Sequence, residues 1–365
     1  TDDATREADI QLPDDGSQNR EALKDEIKSQ KNNTRKGKQL SLEELEDEIK
    51  SFGDEMAAKG EGDIRISCFN PNGLKGKLRD QLQYAIDSDI NVQGFSKVNL
   101  DLLKTHLCQN MSDTVRRVDR NARACWSTSI VPSVSDYKSG GTGIVAFGKT
   151  ATRVKQSGID RMGRWSYQLL SGRGTREILI ISIYQCCDKR GNKGTKTAYY
   201  QQQVILLEEN RSADPWTQFC KDLIQLIQSF KLKNGNVVPI VMGDWNEEQD
   251  LKSAALHLRR EFGLVDAFRL WFPDHKRFKT FIDGLQTIDY VMTLPWVAEA
   301  MTATVYKPFS YWVAGDHRAM YFNIPEEVLF QETCANEFTT DNRALKSNDK
   351  KNAKRYIDEI GRAHV

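Results

Sequence analysis

Seven polar side chains in this sequence stand at or near the ends of apolar runs, where extended chain would leave them on a shared rim. Asp244 and Asn246 follow Val238-Pro239-Ile240-Val241-Met242-Gly243, a short β-branched run that reads as a buried strand. Two residues apart on extended chain, they face the same side. Asp244 offers a carboxylate able to take a proton or hold a cation, and Asn246 offers an amide. An Asx turn after a strand would account for that pair alone. The other members extend the pattern: Asn70 follows the strand-like run 64–69, and Tyr184 closes 178–184. Asp289 lies in Thr287-Ile288-Asp289-Tyr290-Val291-Met292, and Asp316-His317 precede a last apolar run.

Gathered on one rim, these groups suit hydrolysis of a phosphate ester. That reaction needs an activated water, neutralised charge on a pentavalent phosphorus and a stabilised leaving oxygen. Oxygen ligands such as Asn70 and Asp316 suit a hard cation, Mg²⁺ or Mn²⁺. His317, oriented by Asp289, can face a phosphate oxygen as an imidazolium while Asp244 takes the proton from water.

The elements that must position them are strands with helices between. A helix is expected at 82–86, a strand at 90–95, and Gly140-Gly141-Thr142-Gly143 opens another strand rather than a phosphate cradle, because no helix follows. Runs 163–169 and 178–184 form a strand pair turning at 171–174. A helical pattern spans 195–230, a helix covers 251–262, and 264–268 is a short connection. Mixed strands with interspersed helices give an α/β body.

At 365 residues and 41.6 kDa there is room for a sizeable core. Basic and acidic residues nearly cancel, 52 against 51, so any nucleic-acid partner must be met by local charge. No apolar stretch or leader pattern points to a membrane or to secretion. Seven cysteines without a Cys-x-x-Cys pair read as reduced thiols of a nuclear or cytoplasmic protein. Residues 1–60 form a charged, largely disordered segment with a helix at about 41–57, opened by the Ser41/Glu44 capping pair. The body spans 61–325, and 326–365 is a C-terminal linker. The chain starts without Met, and Ile360-Gly361-Arg362-Ala363-His364-Val365 reads like a translated sequencing adapter; a fragment is expected.

The series Phe69-Asn70-Pro71-Asn72-Gly73-Leu74, Tyr184, Gly243-Asp244-Trp245-Asn246, Ile288-Asp289-Tyr290-Val291 and Gly315-Asp316-His317 resembles the endonuclease/exonuclease/phosphatase superfamily. Its motifs follow family order over about residues 62–325. Within it the chain is most similar to the endonuclease domain of non-LTR retrotransposons and its apurinic-endonuclease relatives, a branch that the tyrosine at 184 fits. The resemblance implies a DNase I-like four-layer sandwich: two mixed β-sheets face to face, flanked by helices. It implies Asp244 as general base, Asn246 holding the scissile phosphate, Asp289 orienting His317, and Tyr184 on the phosphate or leaving oxygen. Asn70 and Asp316 would hold Mg²⁺ or Mn²⁺. DNA would be the partner, gripped by Asn72, Lys75, Lys77, Arg79, the cluster Arg116, Arg117, Arg120 and Arg123, and the lysines of 189–196, with Tyr311 and Trp312 stacking on a base. A linked reverse transcriptase would follow the C-terminus.

One departure outweighs the matches. Where the family carries a metal-binding glutamate at the end of the second strand, Gly94-Phe95-Ser96-Lys97-Val98-Asn99 has Lys97. An ammonium there repels a divalent cation and can occupy its space, so nuclease activity is expected to be weak or absent. Gly315, where relatives often have serine, is a milder departure. Two other readings stand beside the nicking endonuclease: a catalytically dead module that binds nucleic acid, and a phosphatase or phosphodiesterase acting on a small substrate.

Overall fold

The computed structural model describes residues 47–54, 59–187, 196–211, 214–249, 253–274, 278–309 and 315–331. In chain order the strands are β1 (Phe52–Gly53), β2 (Asp63–Phe69), β3 (Val92–Ser96), β4 (Arg123–Ser127), β5 (Thr142–Ala146), β6 (Val154–Ile159), β7 (Trp165–Ser171), β8 (Glu177–Tyr184), β9 (Val237–Asp244), β10 (Val265–Asp266), β11 (Asp289–Thr293), β12 (Ala303–Tyr306) and β13 (Met320–Pro325). The longer helices are α1 (Leu78–Asp87), α2 (Thr105–Val118), α3 (Ala198–Glu208), α4 (Pro215–Lys233) and α5 (Ala254–Phe262).

The strands form two sheets, ordered β1-β12-β13-β2-β3-β5-β4 and β10-β11-β9-β8-β7-β6. Both are mixed: β2–β3 and β8–β9 run parallel, the other pairs antiparallel. Strand β8 explains the layering. Its Ile178 and Ile180 point into the core between the sheets with Ile66, Ile240 and Met242, while Leu179, Ile181 and Ile183 join the outer core with Phe219, Leu223 and Ile227 of α4. A strand apolar on both faces must be covered on both. Helices α1 and α2 cover the first sheet through Leu82, Met111 and Val115. The four-layer sandwich is present as expected.

Local differences have local causes. The pattern over 195–230 resolves into α3 and α4, because Asp214 caps a new helix and Pro215 occupies its first turn. Helix α5 starts at Ala254, capped by the Ser253 hydroxyl, rather than at residue 251. The connection 264–268 holds β10 and the start of a short helix, Ala267–Trp271. Strands β4, β6 and β12 and helix α2 lay outside the sequence reading. The expected helix at 41–57 falls partly outside the described residues. Residues 47–49 are helical, but Phe52–Gly53 form β1, paired with β12. Phe52 stacks on Phe278 at 4.2 Å, and Gly53 has φ +94°, so burial and glycine end the helix early. Residues 47–53, expected in the charged segment, are therefore packed into the body. Among the described residues, no helix is long and apolar enough to cross a membrane.

Gly243, just before the acid at the end of β9, has φ +148°. A Cβ there would lie 2.2 Å from the Ile183 carbonyl oxygen in the neighbouring strand. Gly243→Ala is expected to destabilise the fold by about 2–4 kcal/mol in urea unfolding, since the obstacle is backbone. An unchanged unfolding midpoint would show that β8 and β9 can part at no cost.

Candidate active site

Asp244 is the last residue of β9, and the sheet register puts Tyr184 of β8 on one side of it and Asp289 of β11 on the other. Its backbone is tied to the opposite sheet through Ser96 at the end of β3. The Ser96 hydroxyl donates to the Ile183 carbonyl at 2.6 Å and accepts the Asp244 N–H at 3.1 Å. Asn70, the first residue after β2, donates its amide to Asp244 Oδ2 at 2.7 Å. Asp244 Oδ1 accepts the Asn246 N–H at 2.9 Å, an Asx turn made possible by φ +49° at Asn246. Asn246 then donates its amide to the Gln185 carbonyl at 2.6 Å and accepts from the Cys187 thiol at 3.2 Å. Trp245 points the other way, stacked parallel on Tyr290 at 4.9 Å, and anchors the turn in the outer core.

His317 arrives from the segment before β13. Its Nδ1 lies 2.8 Å from Asp289 Oδ2 and its Nε2 lies 4.0 Å from Asp244 Oδ2. The Thr280 hydroxyl accepts the Ile288 and Asp289 N–H groups, and Tyr306 donates its hydroxyl to the Asp289 carbonyl. The imidazole and both acids are buried. Burial alone would lower the His317 pKa, but the charge and hydrogen bond of Asp289, with Asp244 and Asp316 behind them, raise it to about 9. Burial raises Asp244 to about 7, with Asp289 adding and with His317, the Asn246 N–H and the Lys97 charge opposing. Tyr184 is held well above its ordinary range, by burial first and then by Cys187 and Asp244.

The expected residues Asn70, Tyr184, Asp244, Asn246, Asp289, Asp316 and His317 do share one rim. Asn72, in the left-handed region at φ +48°, donates its side-chain amide to Asp316 Oδ2 at 2.8 Å. Lys75 is exposed and paired with Asp136, which also holds Lys104, while Lys77 donates to the Pro71 carbonyl. The arginine cluster is a different matter. Register sets Arg123 opposite Ala146 and Ser127 opposite Thr142, and Thr142 is the residue paired with Ser96. Arg116, Arg117 and Arg123 thus lie toward the far end of the sheet, Arg116 and Arg117 on α2 rather than in a loop. They were expected in loops; instead Arg116 and Arg117 lie on a helix absent from the sequence reading, and Arg123 opens β4. Tyr311, Trp312 and lysines 189–195 lie outside the described residues. Sequence reasoning missed Ser96, Asn99, Gln185 and Thr280, which work by backbone hydrogen bonds that residue type does not announce. Asn99 donates to the Asn72 side chain and accepts the Gly140 N–H.

Metal ligation can be tested on the donors present. Asp244, Asp289 and His317 bring ligand atoms within 4.8 Å of one another, a spacing that could hold an ion. Asp289 raises the His317 pKa to about 9, however, so an ion bound there would have to displace a proton from the ring. At the expected cation position, the Asn70 amide donates to Asp244 while its carbonyl oxygen accepts the Asn72 N–H at 2.9 Å. Asp316 Oδ1, buried with no hydrogen-bond partner among the described residues, suits a cation. Among the described residues Asp316 joins no cluster of three such ligands, and position 97 is a lysine. So few open oxygen donors, with a lysine at position 97, do not fit a divalent ion, which wants about six oxygen ligands.

A raised folded pKa means that His317 holds its proton more tightly in the folded state. That contribution to stability is complete below the ordinary pKa of 6.5 and is lost as pH rises through about 9. Imidazole NMR in chelator should therefore show His317 still charged at pH 7.5, and stability should fall between pH 7 and 9.5. Asp289→Asn should move the titration down toward the ordinary range and flatten that fall. A wild-type midpoint below 7 would contradict the ion-pair geometry.

No protein-family model and no curated protein matches the sequence. Among solved structures, the chain is similar to the AP endonuclease LMAP from Leishmania major, with a TM-score of 0.54 and 12% identity over 79% of this chain and 99% of that one. An AP endonuclease from Archaeoglobus fulgidus matches with a TM-score of 0.47 and 15% identity, covering 71% and 98%. A variant of the 3′ phosphatase NExo from Neisseria, bound to a product DNA hairpin, matches at 0.46 and 15%, covering 72% and 99%. At such identities the likeness is one of architecture: this chain has the DNase I-like α/β sandwich.

Proposed function

We propose that this chain is a DNA-directed phosphodiester hydrolase of retrotransposon type, built to nick with Mg²⁺ or Mn²⁺ and disabled in that chemistry by Lys97. One observation carries the reading: buried Asp244 and the Asp289–His317 pair stand together at one rim, with Asn70 bound to Asp244. Asp244 is placed to take a proton from an attacking water, and burial brings its pKa near the working pH. The imidazolium of His317, fixed by Asp289, faces the charge that develops on a phosphoryl oxygen. As water bonds to phosphorus, the bond to the 3′ oxygen breaks; the phosphate stays on the 5′ side and the 3′ oxygen takes a proton from solvent, giving a 3′-hydroxyl from which a linked reverse transcriptase could prime. A divalent cation would add charge neutralisation at Asn70, Asp316 and position 97 once a carboxylate stands there. DNA as substrate is supported by the sequence resemblance and by the AP endonuclease with the same architecture. Free thiols at Cys68, Cys108, Cys125, Cys186, Cys187 and Cys220 suit action in the nucleus or cytoplasm.

Nicking of supercoiled plasmid in Mg²⁺ tests this, comparing wild type, Lys97→Glu and Lys97→Glu/Asp244→Ala. Lys97→Glu should nick, with wild type and the double variant slower by about 100-fold or more. Equal nicking by wild type would remove Lys97 from the cation position. Failure of all three would remove the hydrolase reading.

A further inference from the structure

The misfit between the expected cation and the residues at its position has a consequence for binding, which rests on the phosphate-site reading above. We infer that the Lys97 ammonium takes the place of the divalent cation, so that the site binds a phosphate group with no metal ion. Charge arithmetic comes first. A glutamate plus a divalent cation carries a net charge of about +1, and a lysine carries the same charge alone. Replacing the pair by Lys97 leaves the electrostatic balance of the rim unaltered. What is lost is ligand geometry for a metal, not attraction for an anion.

The position of Lys97 agrees. It is the first residue beyond β3, in the left-handed region at φ +54°. Its carbonyl accepts the Gly73 N–H at 3.0 Å, and the Val98 carbonyl accepts the Leu74 N–H at 3.0 Å. The loop bearing Lys97 is thereby fastened to the loop bearing Asn70 and Asn72. The half-buried Lys97 forms no side-chain hydrogen bond or salt bridge among the described residues, yet its charge is felt at buried Asp244. Other carboxylates have partners of their own: Asp244 has Asn70 and Asn246, Asp289 has His317, and Asp136 has Lys75 and Lys104. Asp316 Oδ1 has no hydrogen-bond partner among the described residues, and its other oxygen is held by Asn72. A lysine with three donors and no salt-bridge partner among the described residues, on the same rim as His317, is a receptor for phosphate oxygens.

Binding of inorganic phosphate, followed by calorimetry and ³¹P NMR in EDTA, tests the inference. A short single-stranded oligonucleotide with and without a terminal phosphate separates end recognition from contact with the internal backbone. Wild type and Lys97→Arg should bind phosphate in EDTA, with no gain from added Mg²⁺. Lys97→Met should bind about tenfold more weakly or worse, the loss of one charge-assisted contact, and Lys97→Glu should bind only when Mg²⁺ is added. Thermal unfolding confirms that each variant folds. Wild-type binding that requires Mg²⁺, undiminished binding by a folded Lys97→Met, or no binding at all would each overturn it. The two readings fail separately. Nicking by Lys97→Glu without phosphate binding by wild type leaves the nuclease reading standing alone. Metal-free binding by wild type without nicking by Lys97→Glu leaves only the anion site.

Discussion

The rim depends on one buried carboxylate. Asp244 sits at the junction of both sheets, and burying it costs free energy unless its oxygens and backbone are satisfied. Its surroundings meet that demand from four segments: the Asn70 amide from the end of β2, the Ser96 hydroxyl from β3, the Asn246 N–H from its own turn, and His317 from the approach to β13. Each partner belongs to a different loop, so satisfying this acid aligns the ends of the strands. Asp289 does the same for His317, and Thr280 and Tyr306 hold the backbone of Asp289. The chemistry of the site and the packing of the sandwich therefore share one hydrogen-bond network.

A second constraint comes from behind the rim. The Arg318 guanidinium, next to His317, is almost wholly enclosed between the rings of Phe52 and Phe309, at 4.8 and 4.2 Å. It donates to the carbonyls of Asp47, Lys50, Lys279 and Lys307. A buried cation with no bidentate carboxylate is tolerable only when carbonyl dipoles replace its water. Residues 47–53 supply two of those carbonyls and the Phe52 ring. This stretch thus acts as a strap across the back of the His317 segment, and its β1 pairing extends the first sheet by one strand.

At Lys97 the backbone and the side chain have separate roles. Its backbone makes the contacts that the loop requires, and its neighbours Ser96 and Val98 make theirs. Its side chain brings a positive charge that is felt at buried Asp244.

Much of this protein was legible in one sequence. Alternating and β-branched runs with a polar residue at one end marked β2, β8, β9 and β11, because a strand's period of two and its buried faces are local properties. The same reading suggested that Asp289 orients His317, and the two lie 2.8 Å apart. Tertiary structure decided the rest. Whether Arg117 lies beside the site depends on the register of β4 against β5 and on helix α2, both set by pairing across the chain. Phe52 became a strand residue because Phe278 and Arg318, far along the sequence, offered it a buried place. Ser96, Gln185 and Thr280 acquired their roles through backbone hydrogen bonds formed only when the strand ends meet. Such contacts depend on distance in space, which residue type and spacing do not encode.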